Sequence, residues 1–318
     1  MALTLILFVL GFVLLIVGAQ ALVNGASSIG TRLKISQMVM GLTVVALGTS
    51  LPELIVNVFA SFAGNSALAI GNVLGSNITN TLLVVGTAAV IMPVSMGRQT
   101  LKRDIPFSLF VLVILFLLAN DSLFGRADSI NRVDGLILLL LMAVFLYVLF
   151  TNKKADDLLK DVEIKKISLP LSILYIVGGS VALYYGGKWV VDGALVVARG
   201  MGISETAMGL TLVSGATSLP EWVTSILAAR KKNADMALGN AIGSNILNVL
   251  LVLGVTALIR PVAYTANLNI EIGLVFLSGV MLLIFARAGK VKNQLNRLEG
   301  ILLILLYIAF IYFSVSFQ

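Results

Sequence analysis

Cysteine and histidine are both absent from the 318 residues, and charge is scarce: 12% of positions are charged while 59% are hydrophobic. Without cysteine there is no disulfide, and the redox compartment leaves no trace. Without histidine the chain lacks the usual zinc ligand and the usual proton shuttle near neutral pH. A soluble domain carries about 25% charged residues. Half that fraction, with a mean hydropathy of +1.05, indicates a membrane protein. The net charge of +7 is no sign of nucleic-acid binding, because membrane proteins gather Lys and Arg in cytoplasmic loops.

Apolar stretches long enough to cross a bilayer predict ten spans, near 4–24, 38–62, 67–92, 104–119, 133–151, 168–187, 204–229, 235–259, 268–286 and 299–316. "GAQA" in the first looks like a cleavage site. The stretch lacks a positive flank and recurs later in the chain, so a retained helix is expected rather than a signal peptide.

The chain repeats itself. Shifted by 168 residues it lies on itself without a gap: "ISQMVMGLTVVALGTSLPE" (35–53) matches "ISETAMGLTLVSGATSLPE" (203–221) at 12 of 19 positions. "GNVLGSNITN" (71–80) matches "GNAIGSNILN" (239–248), and "GAQALVNGA" (18–26) matches "GGKWVVDGA" (186–194) more weakly. Two homologous halves follow, 1–151 and 167–318, joined by the polar linker 152–166. Five spans per half would make the repeats inverted. Placing the linker in the cytoplasm puts 17 of the 22 basic residues there, which satisfies the positive-inside rule with both termini outside. The expected fold is therefore an all-α polytopic membrane protein of ten transmembrane helices in two inverted five-helix repeats, in the plasma or inner membrane. Transporters of this kind hold substrate near the midplane on interrupted helices.

The interruptions are visible. Pro52 and Pro220 have no N–H, so the carbonyls of Gly48 and Ala216 lose their helical partners. A bare carbonyl in lipid costs several kcal/mol unless something satisfies it, and a dehydrated cation would. Beside the prolines stand Glu53 and Glu221, the ionisable residues placed well inside a span. Pseudo-twofold symmetry would bring them together, where one would take a proton unless a cation lay between them. Two carboxylates, Asn80 and Asn248, and oxygens near Thr49 and Thr217 make a ligand set suited to Ca2+. Mg2+ would dehydrate reluctantly, and softer metals favour the missing His and Cys. The bland readings are a kink with a buried hydrogen bond, close helix packing at Gly71/Gly75 and Gly239/Gly243, and a merely solvated linker.

The paired "GTSLPE…GNVLGSNITN" and "GATSLPE…GNAIGSNILN" resemble the alpha-repeats of the calcium/cation antiporter superfamily, in particular prokaryotic sodium/calcium exchangers. The resemblance implies Glu53 and Glu221 as central ligands, with Thr49, Ser50, Ser76, Asn80, Thr217, Ser218, Ser244 and Asn248 lining Ca2+ and Na+ sites. Backbone oxygens at Ala46 and Ser214 would complete them. It also implies alternating access in which the first and sixth helices slide over a rigid core, with Gly18, Gly25, Gly186 and Gly193 on the sliding surface. Several relatives carry Asp where this chain has Asn248, and its absence favours Na+ coupling without K+. Ala216 replaces the glycine of the first motif. The expected activity is antiport with Na+ and Ca2+ as substrates and no cofactor. A calcium/proton antiporter of the same fold, a channel and an intramembrane enzyme are the alternatives. The last lacks His, Cys and HExxH.

Overall fold

The computed structural model describes residues 2–125, 127–151, 167–200, 214–289 and 291–316; the linker 152–166 and the start of the seventh expected span lie outside them. Most of the described chain is helical. In order, the helices are α1 (Ala2–Leu33), α2 (Gln37–Thr49), α3 (Leu51–Ala63), α4 (Ser66–Ile91), α5 (Ile105–Ala119) and α6 (Arg132–Thr151). The remainder are α7 (Leu169–Gly200), α8 (Ser214–Thr217), α9 (Leu219–Arg230), α10 (Ala234–Ile259), α11 (Asn269–Ala288) and α12 (Arg297–Ser316). Among the described residues seven helices are long and apolar enough to cross a membrane, and the bent pair α2–α3 makes an eighth. α5, with 15 residues, and α9, with 12, are shorter.

Local chemistry sets the ends. α1 runs on to Leu33, well past the expected end, and stops where Lys34 takes a left-handed φ of 55°. α3 ends at Gly64, whose φ of 71° lets its N–H reach the Ala60 and Ser61 carbonyls. Asn65 and Asn233 cap α4 and α10 by accepting from the Leu68 and Met236 amides. Pro93 and Pro261 disfavour helical backbone in the residue before them. Met92 and Arg260 are accordingly extended, with φ near −147° and −149°.

The extended residues correct the all-α expectation. Strands β1 (Val94–Ser95), β2 (Ser129–Ile130), β3 (Val262–Ala263) and β4 (Gln294–Leu295) form two short antiparallel pairs, β1 with β4 and β2 with β3. Each pair joins one sequence half to the other. So do the long helices: α4 packs on α12, and α10 on α6. The gap-free overlay also needs revision. β1 and β3 are 168 residues apart, but β2 and β4 are 165 apart. Asn131 and Asn296, which cap the helices that follow, keep the shorter offset. The second half is three residues shorter than the first between its third span and its last.

Burial separates the helices into two sets. α4 and α10 are mostly enclosed, whereas α1, α6, α7, α11 and α12 leave most of their surface uncovered. Exposed Leu, Ile, Val and Phe along these outer helices suit contact with lipid. The enclosed helices carry Ser76, Asn80, Ser244 and Asn248, which are all fully buried.

α1 and α7 pack against each other along a seam of glycines. A methyl group on Gly11 would lie 2.8 Å from the Gly186 carbonyl oxygen, and one on Gly18 would lie 2.9 Å from that of Gly179. One on Gly25 would lie 2.6 Å from the Ser172 carbonyl oxygen. The glycines expected on a surface sliding over the core instead face the other long helix: Gly18 and Gly25 meet α7, while Gly186 and Gly193 meet α1. Polar contacts tie the C-terminal part of α1 to the rest of the chain. Lys231 donates to Asn24 at 2.7 Å, and Asn233 donates to Gln37 at 3.1 Å and to Ser27 at 3.4 Å. Burial pushes the Lys231 ammonium below the usual lysine range.

Candidate cation site

Helices α2 and α3 meet at Ser50 with a bend of 47°. Ser50, with φ −85° and ψ 9°, and Ser218, with φ −83° and ψ 2°, are the hinge residues, each two positions before the motif proline. The proline stands in the first turn of the following helix, where a missing N–H costs nothing. The same first turn carries Glu53 or Glu221, where the positive end of the helix dipole favours a carboxylate. Proline, break and acid are therefore one device. The break ends one helix and starts another whose N-terminus supports the charge.

Both carboxylates are completely buried. Glu221 accepts from Ser50 at 2.9 Å and from Ser244 at 3.3 Å, so a hydroxyl of the first half holds the acid of the second. Glu53 accepts from Ser76 at 3.4 Å, and Ser76 lies 3.3 Å from the Thr217 hydroxyl. These bonds form two groups, Ser50 and Ser244 on Glu221 and Ser76 with Thr217 on Glu53, and Thr49 lies against Glu221. One oxygen of each acid, Oε2, has no hydrogen-bond partner, and neither acid has a basic partner among the described residues. Among the described residues no third acidic side chain joins them.

Asn80 and Asn248 each open a π-helical turn, Asn80–Val84 and Asn248–Leu253, a local widening common at functional sites. Asn80 leaves both amide atoms without partners; Asn248 donates to Asn77 at 3.1 Å and keeps Oδ1 unpartnered. Ser218 Oγ is buried and unpartnered. The Ala46 carbonyl, expected as a ligand, accepts from the Ser50 amide at 2.9 Å and has the Thr49 hydroxyl 3.2 Å away. Ser214 opens α8.

Sequence reasoning passed over a set of buried amides. Asn57, Asn72 and Asn240 lie beside the site, with Ser225 at the position equivalent to Asn57. Asn72 and Asn240 follow the glycine of each "GN" pair, so the repeat itself carries the signal.

The family described as sodium/calcium exchanger protein matches residues 3–151 and 171–316. The chain belongs to that family. Its members are ion transporters rather than enzymes, and this chain is a membrane antiporter of the cation/calcium class. The sodium/calcium exchanger MaX1 of Methanosarcina acetivorans is 33% identical to it over 349 residues, covering 96% of this chain and 97% of MaX1. The inner membrane protein YrbG of Escherichia coli (strain K12) is 38% identical over 258 residues, 80% of this chain and 79% of YrbG. The sodium-calcium exchanger NCX_Mj, soaked with 10 mM Na+ and zero Ca2+, superposes with a TM-score of 0.84 at 31% identity, covering 100% of this chain and 99% of NCX_Mj.

Proposed function

We propose that this exchanger moves Ca2+ against Na+ by alternating access, electrogenically and without K+, with Glu53 and Glu221 as the central ligands. One observation carries the reading: two fully buried carboxylates at equivalent repeat positions, each with one oxygen unpartnered and no basic neighbour among the described residues. A buried charge without a partner is costly, by several kcal/mol per ion. A divalent cation between the two acids would offset both at once. The surrounding neutral oxygens of Ser76, Ser244, Thr49, Thr217, Ser50, Ser218, Asn80 and Asn248 would complete a loose oxygen shell.

Na+ and Ca2+ have similar radii, so charge decides occupancy. Two carboxylates hold one Ca2+, or more than one Na+ when neutral oxygens share the load. An empty, doubly charged site should not cross the membrane readily, which makes exchange obligatory. If more than two Na+ replace each Ca2+, a cycle moves net charge, and the membrane potential adds about 2.3 kcal/mol per charge per 100 mV. Neutral Asn248, in place of a third acid, supports K+-independence. The wider architecture proposed with it is ten spans in two inverted halves, termini outside and linker 152–166 in the cytoplasm.

Calcium-45 uptake into proteoliposomes, with Na+, K+ or proton gradients imposed in turn, tests the reading. Uptake should follow an outward Na+ gradient, respond to an imposed potential and ignore K+. Full exchange on a proton gradient alone would make the protein a calcium/proton antiporter. Cysteines introduced at Lys160 and Gln318 should label from opposite sides of the membrane; labelling from one side would end the inverted-repeat proposal.

A further inference from the structure

Two hydrogen-bond chains run outward from the site, 168 residues apart and alike in plan. In the first, Asn57 Nδ2 donates to the Ala69 carbonyl at 3.0 Å, and Asn72 Nδ2 donates to Asn57 Oδ1 at 2.7 Å. Thr217 Oγ1 then meets Asn72 Oδ1 at 3.1 Å. In the second, Ser225 Oγ donates to the Ala237 carbonyl at 3.2 Å, and Asn240 Nδ2 donates to Ser225 Oγ at 3.0 Å and to the Glu221 carbonyl at 3.2 Å. Thr49 Oγ1 meets Asn240 Oδ1 at 3.0 Å.

The direction of each chain follows from its outer end. A backbone carbonyl can only accept. The Ala69 carbonyl therefore claims the Asn57 amide nitrogen, which turns Asn57 Oδ1 toward Asn72. Asn72 must answer with its own nitrogen, and that leaves its oxygen facing Thr217. In the second chain the Ala237 and Glu221 carbonyls fix Ser225 and Asn240 in the same sense. A flipped amide would set two acceptors or two donors against each other in either chain. Thr217 then gives its proton to Asn72 Oδ1, and Thr49 gives its proton to Asn240 Oδ1, the nearer acceptor at 3.0 Å against 3.2 Å for the Ala46 carbonyl. Each oxygen then keeps lone pairs for the site side, where the Glu53 and Glu221 carboxylates would otherwise compete for the proton.

We infer that Asn72 and Asn240 are positioning residues for cation binding: each draws the hydroxyl proton of a threonine from the opposite half away from the site, so that Thr217 and Thr49 enter it as acceptors. A hydroxyl free to turn its proton inward would oppose a cation, and the relay removes that choice. Partners of this outer kind orient ligands, and their loss typically costs 10–100-fold in metal affinity. The inference rests on the proposed reading that Thr49 and Thr217 are cation ligands.

A double-mutant cycle on the purified full chain separates the two claims, with calcium-45 binding in detergent as the readout and size-exclusion chromatography as the folding control. Asn72→Ala should weaken Ca2+ binding about tenfold, yet change it little in a Thr217→Val background, where no hydroxyl remains to orient. Asn240→Ala and Thr49→Val should behave alike. Additive losses in both cycles would overturn the inference, because asparagine would then act independently of the threonine. Threonine substitutions that leave Ca2+ binding intact would overturn the ligand reading instead. Ser225→Ala, which removes one hydroxyl from the outer end of the second relay, repeats that cycle if Asn240→Ala does not fold. Its effect, too, should vanish with Thr49→Val.

Discussion

Glu53 and Glu221 occupy the same place in two copies of one motif, yet their surroundings differ. Glu221 takes hydroxyl bonds from Ser50 and Ser244 and lies against Thr49, while Glu53 takes one from Ser76 and lies against Thr217, and the hydroxyl of Ser218 stands unpartnered among the described residues. Ser50 thus reaches across to the opposite acid, and its equivalent, Ser218, does not. Repetition in sequence sets which groups are present. The packing of the halves decides how firmly each is held.

Substituting the acids should give the largest effect. At an effective dielectric near 20, one unit-charge contact at 4 Å is worth about 4 kcal/mol before desolvation. Glu53→Gln and Glu221→Gln should each abolish calcium-45 exchange while folded protein persists in the membrane. The comparison predicts that the two differ in detergent melting rather than in transport, with Glu221→Gln disturbing more bonds. Near-normal flux in Glu53→Gln would remove that residue from the site.

Next in size are the two serines. A hydrogen bond to a charged group contributes about 1.5–3 kcal/mol. Ser50→Ala should lower stability by about that much, read as a lower melting temperature, whereas Ser218→Ala, whose hydroxyl has no partner among the described residues, should lower it less. Both should weaken Ca2+ binding if both hydroxyls face the ion. Equal melting shifts would show that the asymmetry has no energetic content.

The bend glycine gives a similar contrast. A methyl group on Gly48 would lie 2.5 Å from Ser180 Oγ on α7, so Gly48→Ala should cost about 1–3 kcal/mol by overpacking and slow exchange. The reverse change in the other half, Ala216→Gly, should cost only the difference in helix propensity, about 1 kcal/mol. Smallest of all is the exposed pair Lys188–Asp192 on α7. Pairs of this kind contribute about 0–1 kcal/mol, and Lys188→Ala should leave melting and flux nearly unchanged.

These contrasts mark how far the sequence could be read. The paired prolines, acids, serines and threonines were legible because the repeat displays each twice and lipid makes a buried acid conspicuous. Helix ends were less so: α7 continues to Gly200 through Lys188 and Asp192, since nothing there breaks a helix and both side chains remain partly exposed. The strand pairs were hidden because each joins residues from different halves. The relay asparagines were visible as letters, but their role depends on which atom faces which neighbour, and that is settled only when the halves meet.

The glycine seam has a mechanical consequence. Gly11, Gly18 and Gly25 recur every seven residues and meet Gly186, Gly179 and Ser172 in antiparallel order. Sliding α1 along α7 would drive larger side chains into slots that fit only glycine, until a full repeat of about 10.5 Å restored the match. Small relative steps are blocked, so the two helices behave as one part, a single carriage rather than two runners. If transport proceeds by sliding α1 and α7 over the core, as proposed, a disulfide engineered between α1 and α7 should leave it running, whereas one engineered between Gly48 and Ser180 should stop it, because only the second ties the carriage to its track.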